Sequence, residues 1–455
     1  MQKLWAKTVL TGEGWLNDVS LAIGGDGRIA EISAGTDAAG AACFGAIISA
    51  PVNLHSHGFQ RAMAGLTEAK GPDPRDSFWT WRRLMFRFLD HLSPKDIQAI
   101  TAFVQMEMLE AGYAAVCEFH YLHHQPGGVA YDNIAEMSER VIAAAECSGI
   151  GLTLLPVMYQ YGGCDKRDLT AGQIRFGNTP DAFAGLVSQA GAALKALPDD
   201  ARLGIAPHSL RAVSRKGLAE VERLLPEAPF HLHLAEQVAE VDEIKAAYGA
   251  RPVEWLLDNY DVNERWCLIH VTQMNAGETV ALAKTGAIAG LCPITESSLG
   301  DGIFDGMRYR DAGGRFGVGS DSNIRISLSE ELRVLENSQR LSNLGRAMFA
   351  TPEKSTGRAL LDQVAMAGAT AANRDTGVIA VGKQADLLAL DMDATDMLGK
   401  SGDMLLDSYI FAGSDALVTD VWSAGRHLVK DGVHVRRSEI VSQYRDALKT
   451  LMEKI

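Results

Sequence analysis

His55, His57, His120, His208, His233, His270 and Asp321 stand where their side chains could act together, because each lies at the end of a short apolar run of this 455-residue chain. A strand puts alternate side chains on one face, so the two histidines of His55-Ser56-His57 project together and can grip one ion. In PFHLHLAEQ, His231 and His233 share a face, and Glu236 follows His233 closely enough for its carboxylate to swing over the same mouth. Imidazole nitrogen suits zinc or iron, and a catalytic site keeps one position open for water. His233 has the better spacing to Glu236, which leaves His231 as a hydrogen-bonded core histidine. Each residue alone has an ordinary reading: H-x-H pairs occur on surfaces, a His can end a strand, and an Asp can cap a turn. Their joint occurrence after the first, fifth, sixth and eighth runs points to a metal site.

The runs that must position these residues are 47–57, 113–121, 151–159, 202–209, 229–236, 266–272, 287–295 and 315–322, with helical stretches between them. Their nearly unbroken apolar character is that of parallel strands covered on both faces, and eight of them predict a (β/α)8 TIM-type barrel with its active site at the C-terminal strand ends. No GxGxxG or Walker sequence offers a nucleotide-binding alternative. Residues 1–46 and 376–436 share a texture of short strands and Gly or Asp turns, which predicts a small β-sandwich domain built from both chain ends. The barrel then spans 47–375, and 437–455 reads as a closing helix.

Composition narrows the function classes. Apolar residues make up 47% and charged residues 22%, ordinary for a globular protein. Lys and Arg number 43 against 57 Asp and Glu, a net charge of −14 that opposes binding to phosphate backbones, so no nucleic-acid partner is expected. Six scattered cysteines without a C-x-x-C pair read as buried free thiols in a reducing compartment. With no apolar stretch of leader or membrane type, a cytoplasmic protein with no membrane partner is expected.

The HSH motif, the later histidines, the Asp of RFGVGSDS and the terminal GKQADLLALD segment resemble the amidohydrolase superfamily over nearly the whole chain. Within it, NLHSHGFQRAMAGL, DSFWTWRRLM, AAVCEFHYLHH, APHSLRAV, HLHLAEQ and LCPITESSLGDGIF are similar to the formimidoylglutamate deiminases of histidine degradation. That resemblance implies one divalent metal ion per chain, zinc or alternatively Fe2+, held by His55, His57, His233 and Asp321. It also implies a catalytic set of Glu236, His270 and Asp321, hydrolysing N-formimino-L-glutamate to N-formyl-L-glutamate and ammonia. On that resemblance a bound metal would make hydroxide available from water. Asp321 would take the water's proton, His270 would stabilise the attacking oxygen and Glu236 would pass a proton to the departing nitrogen.

The substrate is a small molecule with two carboxylates, and the resemblance assigns these to Arg82 and Arg211, with Gln60, Tyr121 and His208 completing the pocket. The planar fork of arginine suits bidentate carboxylate binding. Arg83 is the rival to Arg82, and the aromatic stripe Phe78, Trp79, Trp81, Phe86 and Phe88 reads as packing or an interface. A homodimer is expected. His120, His123 and His124 read as structural or pocket-lining. Two positions depart from the family pattern: Gln273 in HVTQ and Asn323 in SDSN stand where histidines are expected. Other readings are a superfamily deaminase acting on an aminated purine or pterin ring, with aromatic walls and no arginine clamp, and a non-catalytic barrel with a structural role.

Overall fold

The computed structural model describes residues 1–68 and 78–455, with the side chains of 78–80 and 83 excepted. The readings made for Phe78, Trp79 and Arg83 therefore lie outside the described residues.

Barrel strand 1 is Val52–Ser56, strand 2 Ala115–His120 and strand 3 Gly151–Met158. Strand 4 is broken into Arg202–Leu203 and Ala206–Pro207. Strands 5 to 8 are Phe230–Leu234, Trp266–His270, Ile288–Leu291 and Arg315–Val318. All neighbours pair in parallel, in two sets, strands 1–4 and strands 5–8. Bridges at Ile205–Phe230 and Ser209–His233 join the sets on one side, and a bridge at Ser56–Asp321 joins them on the other. The eight runs thus lie in one ring. Several helices between the strands and after the eighth begin at Ser93, Thr179, Ser214, Asn275, Ser327 and Ser355, whose side chains accept the otherwise unpaired N–H groups of the first turn.

The chain ends build a separate sheet. Strands Gln2–Thr11, Gly14–Ile23, Ile29–Ser33 and Ala42–Ser49 come from one end, and Leu387–Leu390, Val418–Ser423, Arg426–Lys430 and Val433–His434 from the other. The halves meet where Ala42–Ser49 pairs antiparallel with Leu387–Leu390. That strand runs to Ser49, past the boundary drawn at residue 46, because the apolar run 47–57 serves two elements: Ile47 to Ser49 pair in this sheet, and Val52 onward in the barrel. Period-two alternation sorts its residues. Ile47, Leu387 and Ala389 join Leu21, Ile29 and Trp422 in a small core between the halves, whereas Ala46, Ile48, Leu388 and Leu390 turn to the main core.

Helix Arg437–Met452 closes the chain, its Tyr444 ring stacked at 3.9 Å on Phe103 of helix Pro94–Glu110. All six cysteines are free, but only Cys117, Cys267 and Cys292 are buried; Cys147 and Cys164 are half-buried, and Cys43, at the start of its strand, is exposed. No described helix is long and apolar enough to cross a membrane.

Sheet and barrel are tied by a buried ion network. The fully buried Arg374 guanidinium forks onto Asp386 at 3.0 Å and reaches Asp200 at 3.0 Å, and Asp200 also accepts from Arg426 at 2.8 Å. Gly151 is required beside it, since a Cβ there would lie 2.5 Å from the Arg374 guanidinium. Arg374→Met strands the buried Asp386 carboxylate and should lower stability by about 3–5 kcal/mol, to be read as an earlier urea transition. Burial opposes the charge of Asp200, yet Arg426 and Arg374 hold its carboxyl below the ordinary range. Its contribution is therefore complete above the unfolded value of about 3.9 and is lost as pH falls through the lower folded value.

Candidate active site

Barrel strands 1 and 8 meet through the backbone of the residues that matter: His57 N–H donates to Asp321 O at 3.0 Å, and Asp321 N–H donates to His55 O at 2.9 Å. Gly319 permits this approach, since a Cβ there would lie 2.6 Å from His55 N. The same registers aim three imidazoles at one point. His55 Nε2 lies 3.2 Å from His57 Nε2 and 3.1 Å from His233 Nε2. Asp321 Oδ1 lies 3.4 Å from the first of these nitrogens and 3.2 Å from the second. On the far side of two of the rings, His57 Nδ1 donates to Phe119 O at 2.9 Å and His233 Nδ1 to His208 O at 3.0 Å. Those bonds put the protons on Nδ1 and leave the Nε2 lone pairs facing inward. Converging lone pairs and a carboxylate repel one another, and a divalent cation among them removes the conflict. Burial pushes His55 down to about 3 and His233 well below its usual value, favouring the neutral form that ligates metal. The group His55, His57, His233 and Asp321, all buried and within 4.8 Å of one another, fits a metal ion.

Glu236 and His270 stand at the edge of this group. Glu236 Oε1 is 4.0 Å from His270 Nε2, and His270 Nδ1 is 3.2 Å from Glu296 Oε1. Burial disfavours a charged His270, but Glu236 and Glu296 outweigh it and raise the ring well above its usual value. The turns that carry these side chains are strained: Ala235, His270 and Asp321 have φ of 51°, 72° and 45°. Left-handed backbone at a non-glycine residue costs of order 1–3 kcal/mol and persists only where its surroundings enforce it.

One cavity, with about 550 Å³ of empty space including its open mouth, is lined by His57, His233, Glu236, His270 and Asp321, and also by Gln60, Arg82, Tyr121, His208 and Arg211. His55 lies beneath its wall, fully buried. Gln60 Nε2 donates to Tyr121 Oη at 2.7 Å, and Arg82 donates to Tyr159 Oη at 3.0 Å. Arg211 is buried, with Glu240 the strongest opposite charge upon it.

A family model described as "Amidohydrolase family" matches residues 46–428, and one described as "Formimidoylglutamate deiminase HutF, N-terminal domain" matches residues 1–42. The chain belongs to the amidohydrolase family. A formimidoylglutamate deiminase of Pseudomonas aeruginosa is 43% identical over the full length of both chains. A 5-methylthioadenosine/S-adenosylhomocysteine deaminase of Natronomonas pharaonis is 26% identical over 85% of this chain and 81% of its own. Among solved structures, an amidohydrolase from Brucella melitensis superposes with a TM-score of 0.95 at 44% identity, covering 99% of this chain and 100% of its own. An adenosine deaminase from Xanthomonas campestris, solved with bound zinc, shares the fold alone, with a TM-score of 0.83 at 21% identity over 99% of this chain and 98% of its own.

Within this amidohydrolase barrel some residues behave otherwise than expected. Trp81 lines the cavity, whereas Phe88 is core and Phe86 lies under the Arg82 guanidinium, 5.2 Å from it. Tyr159, Phe176, Met85 and Leu299 also line it, beyond the residues the sequence points to. Their one sequence signal is that Tyr159 ends an apolar run. His123 and His124 bond to Val157 O and Gly177 O, His231 bonds to Ala371 O, and none of these or His120 borders the cavity. Asn323 braces the seam in place of a histidine, its Nδ2 donating to His57 O at 3.2 Å and Asp321 O at 3.1 Å. Gln273 instead donates to Asp301 O.

Proposed function

We propose that this chain hydrolyses N-formimino-L-glutamate to N-formyl-L-glutamate and ammonia, as the name of its Pseudomonas relative suggests. The observation that carries the reading is that two guanidinium groups, Arg82 and Arg211, share one cavity with the histidine and carboxylate cluster. A substrate with carboxylates at one end and an amidine carbon at the other uses both features. His55, His57, His233 and Asp321 hold a single divalent ion, zinc by its nitrogen and oxygen donors, with Fe2+ as the alternative. When bound, the ion supplies Lewis acidity that makes hydroxide available near neutral pH.

The protein's own groups do the rest. Arg82 and Arg211 hold the carboxylates and so orient the formimino carbon toward the cluster. Asp321 accepts a proton from the attacking water, and cationic His270 places positive charge beside the incoming oxygen. Glu236 carries protons to the nitrogen that departs as ammonia. The water oxygen becomes the formyl oxygen, and both water protons end on ammonia.

Purified protein incubated with formiminoglutamate should release one ammonia per N-formylglutamate formed, with one metal equivalent per chain by elemental analysis. The aromatic lining of Trp81, Tyr121, Tyr159 and Phe176 favours a second reading, deamination of an aminated ring. Ammonia from such a ring with none from formiminoglutamate would replace the first reading by the second.

A further inference from the structure

Glu240 lies in the first turn of helix Val238–Tyr248, beyond Glu236, and is 2% exposed. An acid there commonly reaches back to the residue that caps its helix. Glu240 reaches farther. Its Oε2 accepts from the N–H of Glu236 at 2.9 Å and its Oε1 from the N–H of Ala235 at 3.3 Å, so both oxygens grip the turn in which Ala235 is left-handed. Arg211, buried like Glu240, is after burial the strongest electrostatic influence on it, as Glu240 is on Arg211, although no ion pair within 4.0 Å joins them among the described residues. The Nε of Arg211 has no hydrogen-bond partner among the described residues.

We propose that Glu240 is a positioning residue for the reaction: one carboxylate fixes the backbone of the proton carrier Glu236 and serves as counter-charge to Arg211, setting the acid–base group and the substrate's anchor relative to each other. The inference rests on the function proposed above. Two consequences separate it from simple helix capping. Glu240 acts on turnover through Glu236, so its effect vanishes once Glu236 cannot carry a proton. It also competes with the substrate carboxylate for Arg211, so neutralising it leaves substrate binding intact or tighter.

The test is a double-variant cycle on the metal-loaded enzyme with formiminoglutamate. Glu240→Gln puts an amide N–H2 where an acceptor is needed, and a misplacement of about 1 Å costs up to roughly 10²-fold. We expect kcat to fall about 10- to 100-fold with KM unchanged or lower and metal content unchanged. In a Glu236→Gln background, Glu240→Gln should lower kcat little further. Glu240→Asp keeps the charge near Arg211 but falls short of the backbone, so it should lose kcat as well; it carries the same comparison if Glu240→Gln does not fold. Losses that multiply in the double variant, or a kcat loss that tracks loss of metal, overturn the proposal. A wild-type enzyme inactive on formiminoglutamate overturns the function proposed above instead.

Discussion

Glu236→Gln should leave the fold and the metal equivalent in place while lowering kcat by about 10²–10⁴-fold, the usual worth of a general acid–base group. Gln is nearly isosteric and cannot exchange a proton. The side chain sits 4.0 Å from His270 Nε2 at the rim of the cavity, where substrate nitrogen must leave, so its loss falls on turnover rather than binding. KM should change little. Steady-state kinetics beside elemental analysis checks this, and a variant with near wild-type kcat removes Glu236 from the mechanism.

The second large effect belongs to the arginines. Replacing Arg211 or Arg82 with Met keeps much of the stem volume but leaves a substrate carboxylate unpaired in a buried site. Removing one member of such a pair costs about 2–5 kcal/mol, so kcat/KM for formiminoglutamate should fall roughly 30- to several-thousand-fold with metal content unchanged. Wild type should already handle an amide-capped formimino compound poorly, and the two variants should lose little more on it, because it never used the missing contact. Equal losses on charged and uncharged compounds would assign these arginines to structure. Arg82 also holds Tyr159 Oη, so its variant has a packing component as well.

The barrel was legible because parallel strands covered on both faces must be written as apolar runs, and because polar residues at their ends interrupt that rule only where something else requires them. His55, His57, His233 and Asp321 were readable for this reason, and the structure brings them together. Other features have no such local mark. Trp81, Tyr159 and Phe176 reach the cavity from a helix, a strand end and a short helical turn, and no single period joins them. The run 47–57 hides a change of sheet because both of its halves are buried and apolar. Arg374, Asp200 and Asp386 meet only through the fold, and in sequence each resembles an ordinary surface charge. Glu240 was obscured by a different cause: an acid in a first helical turn is so common that its grip on a catalytic backbone looks like capping.

The seam between barrel strands 1 and 8 has a consequence for how the molecule is made. Asn53 Nδ2 donates to Ser320 Oγ across 267 residues of chain, and His233 meets His55 across 178. During synthesis the HSH pair emerges first, His233 follows and Asp321 comes last of its group, so a nascent chain lacks the carboxylate of the set until the eighth strand is made. Contacts of such long sequence separation form slowly and late. An ion held by these four residues would bridge the first strand and the last, so its binding would add to the stability of the closed ring and not to that of its parts. Metal content should therefore report completed ring closure, and elemental analysis of chains ending before Asp321 should find no high-affinity equivalent.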